Sequence, residues 1–70
     1  MQKILIKNLP ITLAQFLKWS GVALTGGQAK EMIHEGAVSL NGEICLVAGQ
    51  KLQLGDIIGI DDQQFKLALE

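Results

Sequence analysis

The chain has no arginine, one cysteine, one proline and no long hydrophobic run. Its six basic side chains are all lysine and face seven carboxylates, for a formal net charge of −1. A protein that holds nucleic acid by bulk charge is strongly basic, so any such role here has to rest on local patterning. The lone Cys45 excludes an internal disulfide, and no Cys/His cluster has metal-ligand spacing, so neither a metal nor another cofactor is expected. A single free thiol fits a reducing compartment, and the expected location is cytoplasmic. The run Ile4-Leu5-Ile6 is too short for a signal-peptide core and has no small-residue cleavage site after it. Nothing approaches a membrane-spanning length. Seventy residues make one domain, spanning 1–70. A chain of that size buries only about 60% of its unfolded surface, and with no staple visible the 49% hydrophobic content has to supply the stability.

Two segments carry helix start signals of the same kind. Thr25-Gly26-Gly27-Gln28 places a capping hydroxyl three residues before a glutamine, a T-x-x-Q capping box, and the helix then runs to Gly36, where a left-handed C′ residue is usually glycine. Ala29, Met32 and Ile33 form its core stripe, with Lys30 and His34 on one flank and Glu31 and Glu35 on the outer face. Gly26 and Gly27 weaken the first turn by roughly 1 kcal/mol each relative to alanine. A helix with that weakness has a reason for it, such as close approach of another backbone or an anion at the exposed N–H groups. Thr12-Leu13-Ala14-Gln15 repeats the device, and Ile11 with Phe16 makes a hydrophobic staple. This first helix is predicted over Leu13 to Ser20, with Leu13, Phe16 and Leu17 inward, Gln15 and Lys18 outward, and Gly21 as its stop. Val22-Ala23-Leu24 is a short, partly buried connection.

The remainder reads as strands. Gln2 to Lys7 is a lysine-flanked edge strand that Asn8-Leu9-Pro10 ends. Ala37 to Leu40 and Glu43 to Leu46 flank Asn41-Gly42, a strong hairpin signal. Val47 to Gln50 is a loop, Lys51 to Leu54 alternates as a strand, and Gly55-Asp56 turns the chain. Strands over Asp56–Ile60 and Gln64–Leu69 enclose a turn at Asp61-Asp62-Gln63. The order predicts an α+β fold with two helices packed on a small curled antiparallel sheet.

Chemistry-bearing constellations are few. Gly26-Gly27 lacks the phosphate-loop spacing, Asp61 and Asp62 point to opposite faces, and no nucleophile, base and orienter can be assembled. No enzyme is read. Cys45 reads as a small buried strand residue, and Trp19 as a cover for the end of the core, with base stacking as the alternative.

Ile11-Thr12-Leu13, Gln15-Phe16-Leu17-Lys18, Thr25 to Lys30, Ile33, Gly36, Val38, Leu40-Asn41-Gly42, Lys51-Leu52 and Gly55-Asp56 together resemble the RNA-binding domain of the ribosomal protein S-four type. Within it they are most similar to the short stand-alone bacterial YaaA/YbcJ-like proteins. The resemblance spans about residues 11 to 60 and implies an αL-type fold, a helix-turn-helix unit against a small sheet. It also implies contact with structured RNA, ribosomal RNA among the candidates, through helix two and the loop before Lys51. Carried over by position, the RNA-contacting set is Lys18, Gln28, Lys30, Asn41 and Lys51, with Gly26 and Gly27 letting backbone approach phosphate. Exposed N–H groups at the start of helix two, beside Lys30, are independently suited to an anion.

One departure stands out. Where the resemblance implies an arginine-rich run before Lys51, this chain has Leu46-Val47-Ala48-Gly49-Gln50. Arginine offers a planar five-donor fork and lysine only a point charge, so the phosphate contacts left are few. The alternative function is a protein-interaction or self-associating module that kept the fold and docks a partner through Leu46, Val47 and Ala48.

Overall fold

A computed structural model of the chain describes residues 2–7 and 9–70. Its elements are β1 (Gln2–Ile6), α1 (Leu13–Trp19), α2 (Gly26–His34), β2 (Val38–Leu40), β3 (Glu43–Ile44), β4 (Ile57–Ile60) and β5 (Gln63–Leu69). The five strands form one sheet in the order β1-β5-β4-β2-β3, and the two helices pack together over one of its faces. The expected α+β architecture is therefore present.

Apolar residues recurring at helical spacing on α1 and α2, and at every second position on the strands, meet in a single core. Leu13, Phe16, Leu17, Ala29 and Ile33 come from the helices, and Val38, Ile58, Phe65 and Leu67 from the sheet, all essentially inaccessible. Phe16 and Phe65 meet edge to face with centroids 6.4 Å apart.

The turn chemistry is local and follows the residues. Asn41 and Gly42 have φ of 53° and 90°, the paired positive values of a type I′ hairpin. Gly36, at φ 82°, closes α2 in a Schellman motif: its N–H donates to the Ile33 carbonyl, and that of Ala37 to Met32. Gly55 and Asp56 together oppose Leu67, so the expected turn is a glycine-type β-bulge at the entry to β4.

The sheet differs from expectation in two places. It is mixed, because β1 runs parallel to β5 while every other pair is antiparallel. Two helices lie between β1 and the rest of the sheet, which gives the chain the crossover length that a parallel neighbour requires. The segment Lys51–Leu54 forms no strand; only a bridge between Thr12 and Lys51 is made. Its partners are the residues leading into α1, with the Leu52 N–H donating to the Ile11 carbonyl at 2.9 Å and the Gln53 N–H to the Asp56 carboxylate at 2.8 Å. Leu52 is buried and Leu54 exposed, so the two alternating leucines do not share the buried face that a strand would give them. Of the strand-ending Asn8-Leu9-Pro10, Asn8 lies outside the described residues. Among the described residues no helix is long and apolar enough to cross a membrane.

Candidate functional site

The site begins with the two helix starts. At α1 the capping box is complete: the Gln15 N–H donates to Thr12 Oγ1 at 3.2 Å, and the Thr12 N–H to Gln15 Oε1 at 2.9 Å. The remaining first-turn donors are also taken, Leu13 N–H by the Gln50 carbonyl at 2.8 Å and Ala14 N–H by the Ala48 carbonyl at 3.1 Å. The loop before Lys51 is thus docked by its backbone onto the positive end of α1. A turn from the Gln50 N–H to the Val47 carbonyl keeps it compact.

At α2 the box is incomplete. Thr25 Oγ1 accepts from the Gln28 N–H at 3.0 Å, but the Gln28 side chain reaches one residue further back and accepts from the Leu24 N–H at 2.7 Å. The predicted reciprocal bond to Thr25 is not made. No acceptor among the described residues takes the N–H of Gly26 or Gly27. The first turn carries no acidic side chain, so the positive end of α2 stays available to an anion.

A cleft of about 370 Å³ lies between these two starts. Thr12, Gln15 and Lys18 of the α1 region line one side, Gly26 and Lys30 of α2 the other, and Ala48 and Gly49 close the end. Lys18 of α1 and Gly26 with Lys30 of α2, expected from two separate stretches, are brought to one place. Lys51 and Gly27 do not line the cleft: Lys51 is joined to Thr12 by a backbone bridge, and Gly27 follows Gly26 on the first turn of α2. The cleft can take an anionic oxygen on backbone N–H groups with lysines on both walls. Two larger clefts at the β4–β5 turn are lined by Asp61 and Asp62 with no lysine, and would repel phosphate.

Two sequence candidates are occupied within the fold. Gln28 holds Leu24, as described. The Asn41 side chain donates to the Asp56 carboxylate at 3.1 Å and accepts from the Ile57 N–H at 2.9 Å, joining the hairpin to the bulge. His34 lies on the exposed flank of α2 in its last turn. Trp19 is 56% exposed, and its indole N–H donates to the Leu5 carbonyl of β1 at 2.9 Å, so it caps the edge strand. That bond spans fourteen residues and follows from no local pattern. Cys45, half-buried just past β3, donates its N–H to the Val38 carbonyl and so prolongs the hairpin.

The loop in place of an arginine run is two-sided. Leu46 and Val47 are 56% and 57% exposed, whereas Ala48 turns in and packs against the core. Among the described residues no group of His, Cys, Asp or Glu could hold a metal ion.

A family model described as S4 domain matches residues 4–68. Over 51 residues the chain is 43% identical to a Bacillus subtilis (strain 168) protein named "Probable ribosome maturation protein RlbA", covering 73% of this chain and 72% of that one. A solved structure described as "Crystal structure of pseudouridylate synthase" superposes with a TM-score of 0.71 at 30% identity over 80% of this chain. The chain spans only 24% of the length of that protein.

Proposed function

The chain belongs to the S4 domain family, and from that premise we propose that it is a small, non-enzymatic, cytoplasmic RNA-binding module. Its partner is structured RNA, with ribosomal RNA the leading candidate. The observation that carries this reading is the open start of α2, where Gly26 lines a cleft with Lys18 and Lys30 and no acceptor among the described residues takes the Gly26 or Gly27 amide. Phosphate oxygens are the anions this arrangement suits best, since backbone amides and lysines position a nucleic-acid backbone without reading its bases. Lys51, bridged by its backbone to Thr12, adds a further charge. The name of the Bacillus subtilis relative, which concerns ribosome maturation, supports a ribosomal RNA partner.

Few charges mean a modest and salt-sensitive affinity. Titration of a folded ribosomal RNA fragment at low and moderate salt checks the reading. Wild type binds more weakly as salt rises, and Lys30→Ala binds more weakly than wild type at both. Binding that responds neither to salt nor to the substitution overturns it.

A second reading is favoured by the outward-facing pair Leu46 and Val47, next to Ile44, which is 62% exposed. Apolar side chains grouped on a rigid loop suit a protein partner or a second copy. This reading predicts no RNA affinity above background and an association lost in Val47→Asp. Sedimentation showing a monomer at high concentration, unchanged by that substitution, removes self-association.

A further inference from the structure

The helices cover one face of the sheet and leave the other open. On the open face the strand register sets Lys3 of β1 directly beside Lys66 of β5, with Ile57 of β4 on the far side of Lys66. Phe65 and Leu67, the neighbours of Lys66 along β5, are buried under the helices, so Lys66 and its partner Lys3 project from the helix-free side. Both are exposed.

Like charges at directly opposed strand positions repel, and neither lysine has a carboxylate directly opposite it. Lysine on an edge strand deters pairing with another sheet, which accounts for Lys3. It does not account for Lys66, whose strand is hydrogen-bonded on both sides. An uncharged polar residue would keep the face wet without the repulsion. The carboxylates nearest along β5, Asp62 and Glu70, stand beyond its two ends.

We propose that the Lys3–Lys66 pair is a second phosphate contact, which takes the backbone of another segment of the same folded RNA that occupies the cleft. The inference rests on the RNA-binding reading and extends it: the domain is gripped between two RNA segments on opposite faces. The cleft lies between the helix starts, and the lysine pair stands on the helix-free side of the sheet, so a folded RNA with separate segments, and not one short hairpin, engages both. Adjacent point charges on a shallow surface match the regular charges of a nucleic-acid backbone. The apolar residues on this face, Leu5 at 49% exposed and the half-buried Ile57, stand on β1 and β4 on either side of β5, so an acidic protein segment finds no single central apolar anchor.

The test compares wild type, Lys3→Gln/Lys66→Gln and Lys18→Gln/Lys30→Gln by titration across a salt series. The probes are purified, folded ribosomal RNA and a single short hairpin. With folded RNA, each double variant reduces the slope of log affinity against log salt by about 2, from roughly 0.9 per duplex phosphate contact. With the hairpin, only Lys18→Gln/Lys30→Gln has an effect. Thermal melts show Lys3→Gln/Lys66→Gln at least as stable as wild type, because a repulsion has been removed. If Lys3→Gln/Lys66→Gln keeps the wild-type slope on folded RNA while Lys18→Gln/Lys30→Gln loses it, the second contact is overturned and the cleft reading stands. If wild type binds neither RNA in a salt-dependent way, both fall. A polyglutamate peptide bound by wild type and lost in Lys3→Gln/Lys66→Gln, with RNA binding unchanged, assigns the face to protein instead.

Discussion

The two helices begin with the same four-residue signature and end up in opposite states. At α1, Thr12 and Gln15 cap each other, and the carbonyls of Ala48 and Gln50 take the two donors left over. At α2, Thr25 caps Gln28, the glutamine turns back to Leu24, and no acceptor among the described residues takes the amides of Gly26 and Gly27. The difference lies in what the rest of the chain brings up to each start. The loop before Lys51 has no arginine to offer an RNA, and its backbone closes α1. Among the described residues, the helix start whose first amides have no acceptor is the one that two glycines keep uncluttered. A capping box read from sequence therefore marks where a helix begins, not whether its positive end is free.

The comparison can be broken most severely at the closed end. Leu13 is the first residue of α1 and is fully buried. Leu13→Ala should cost about 2–5 kcal/mol, as core leucine truncations do, measured by urea unfolding. It should loosen the docked loop with the helix. At the open end the largest effect is on binding, not on stability. Lys18→Gln/Lys30→Gln should leave the melting temperature nearly unchanged and lower RNA affinity roughly 10- to 30-fold at moderate salt, from two lost phosphate contacts.

The caps come next. Thr12→Ala and Thr25→Ala should each cost about 1 kcal/mol, read from denaturant midpoints. Amide exchange separates them: Thr12→Ala speeds exchange at Leu13 and Ala14 as the loop comes away, whereas Thr25→Ala leaves those two amides protected. The smallest effect is at the glycines. A Cβ at Gly26 meets nothing within 4 Å, and its φ is not positive. Gly26→Ala should therefore stabilise the fold by about 0.4–1 kcal/mol while weakening RNA binding. A variant that gains stability with full affinity would show that phosphate does not approach this backbone.

What could be read in the sequence was chemistry acting over a few residues. Thr12 with Gln15, Asn41 with Gly42 and Gly36 after α2 each fix a local geometry from side-chain size and hydrogen-bonding reach. Partners brought from a distance were not legible. Asn41-Gly42 announces the hairpin, but not that the Asn41 side chain, an RNA-contact candidate by resemblance alone, is bonded to Asp56 and Ile57, fifteen and sixteen residues on. Lys51–Leu54 alternates like a strand, but Leu52 is drawn under Ile11, a contact that periodicity cannot distinguish from sheet pairing. The Lys3–Lys66 neighbourhood exists only because β1 returns parallel to β5. Within the cleft, Lys18, Gly26 and Lys30 were readable singly, and their convergence needed the packing of α1 against α2.

On the proposed function, the start of α2 holds the anion and the start of α1 does not. This is tested most directly by following backbone amide resonances while folded ribosomal RNA is added. The Gly26 and Gly27 amides are expected to shift most, with Lys30 beside them, while Leu13 and Ala14 stay in place. Shifts concentrated at Leu13 and Ala14, or at Leu46 and Val47 with Gly26 and Gly27 silent, would contradict it.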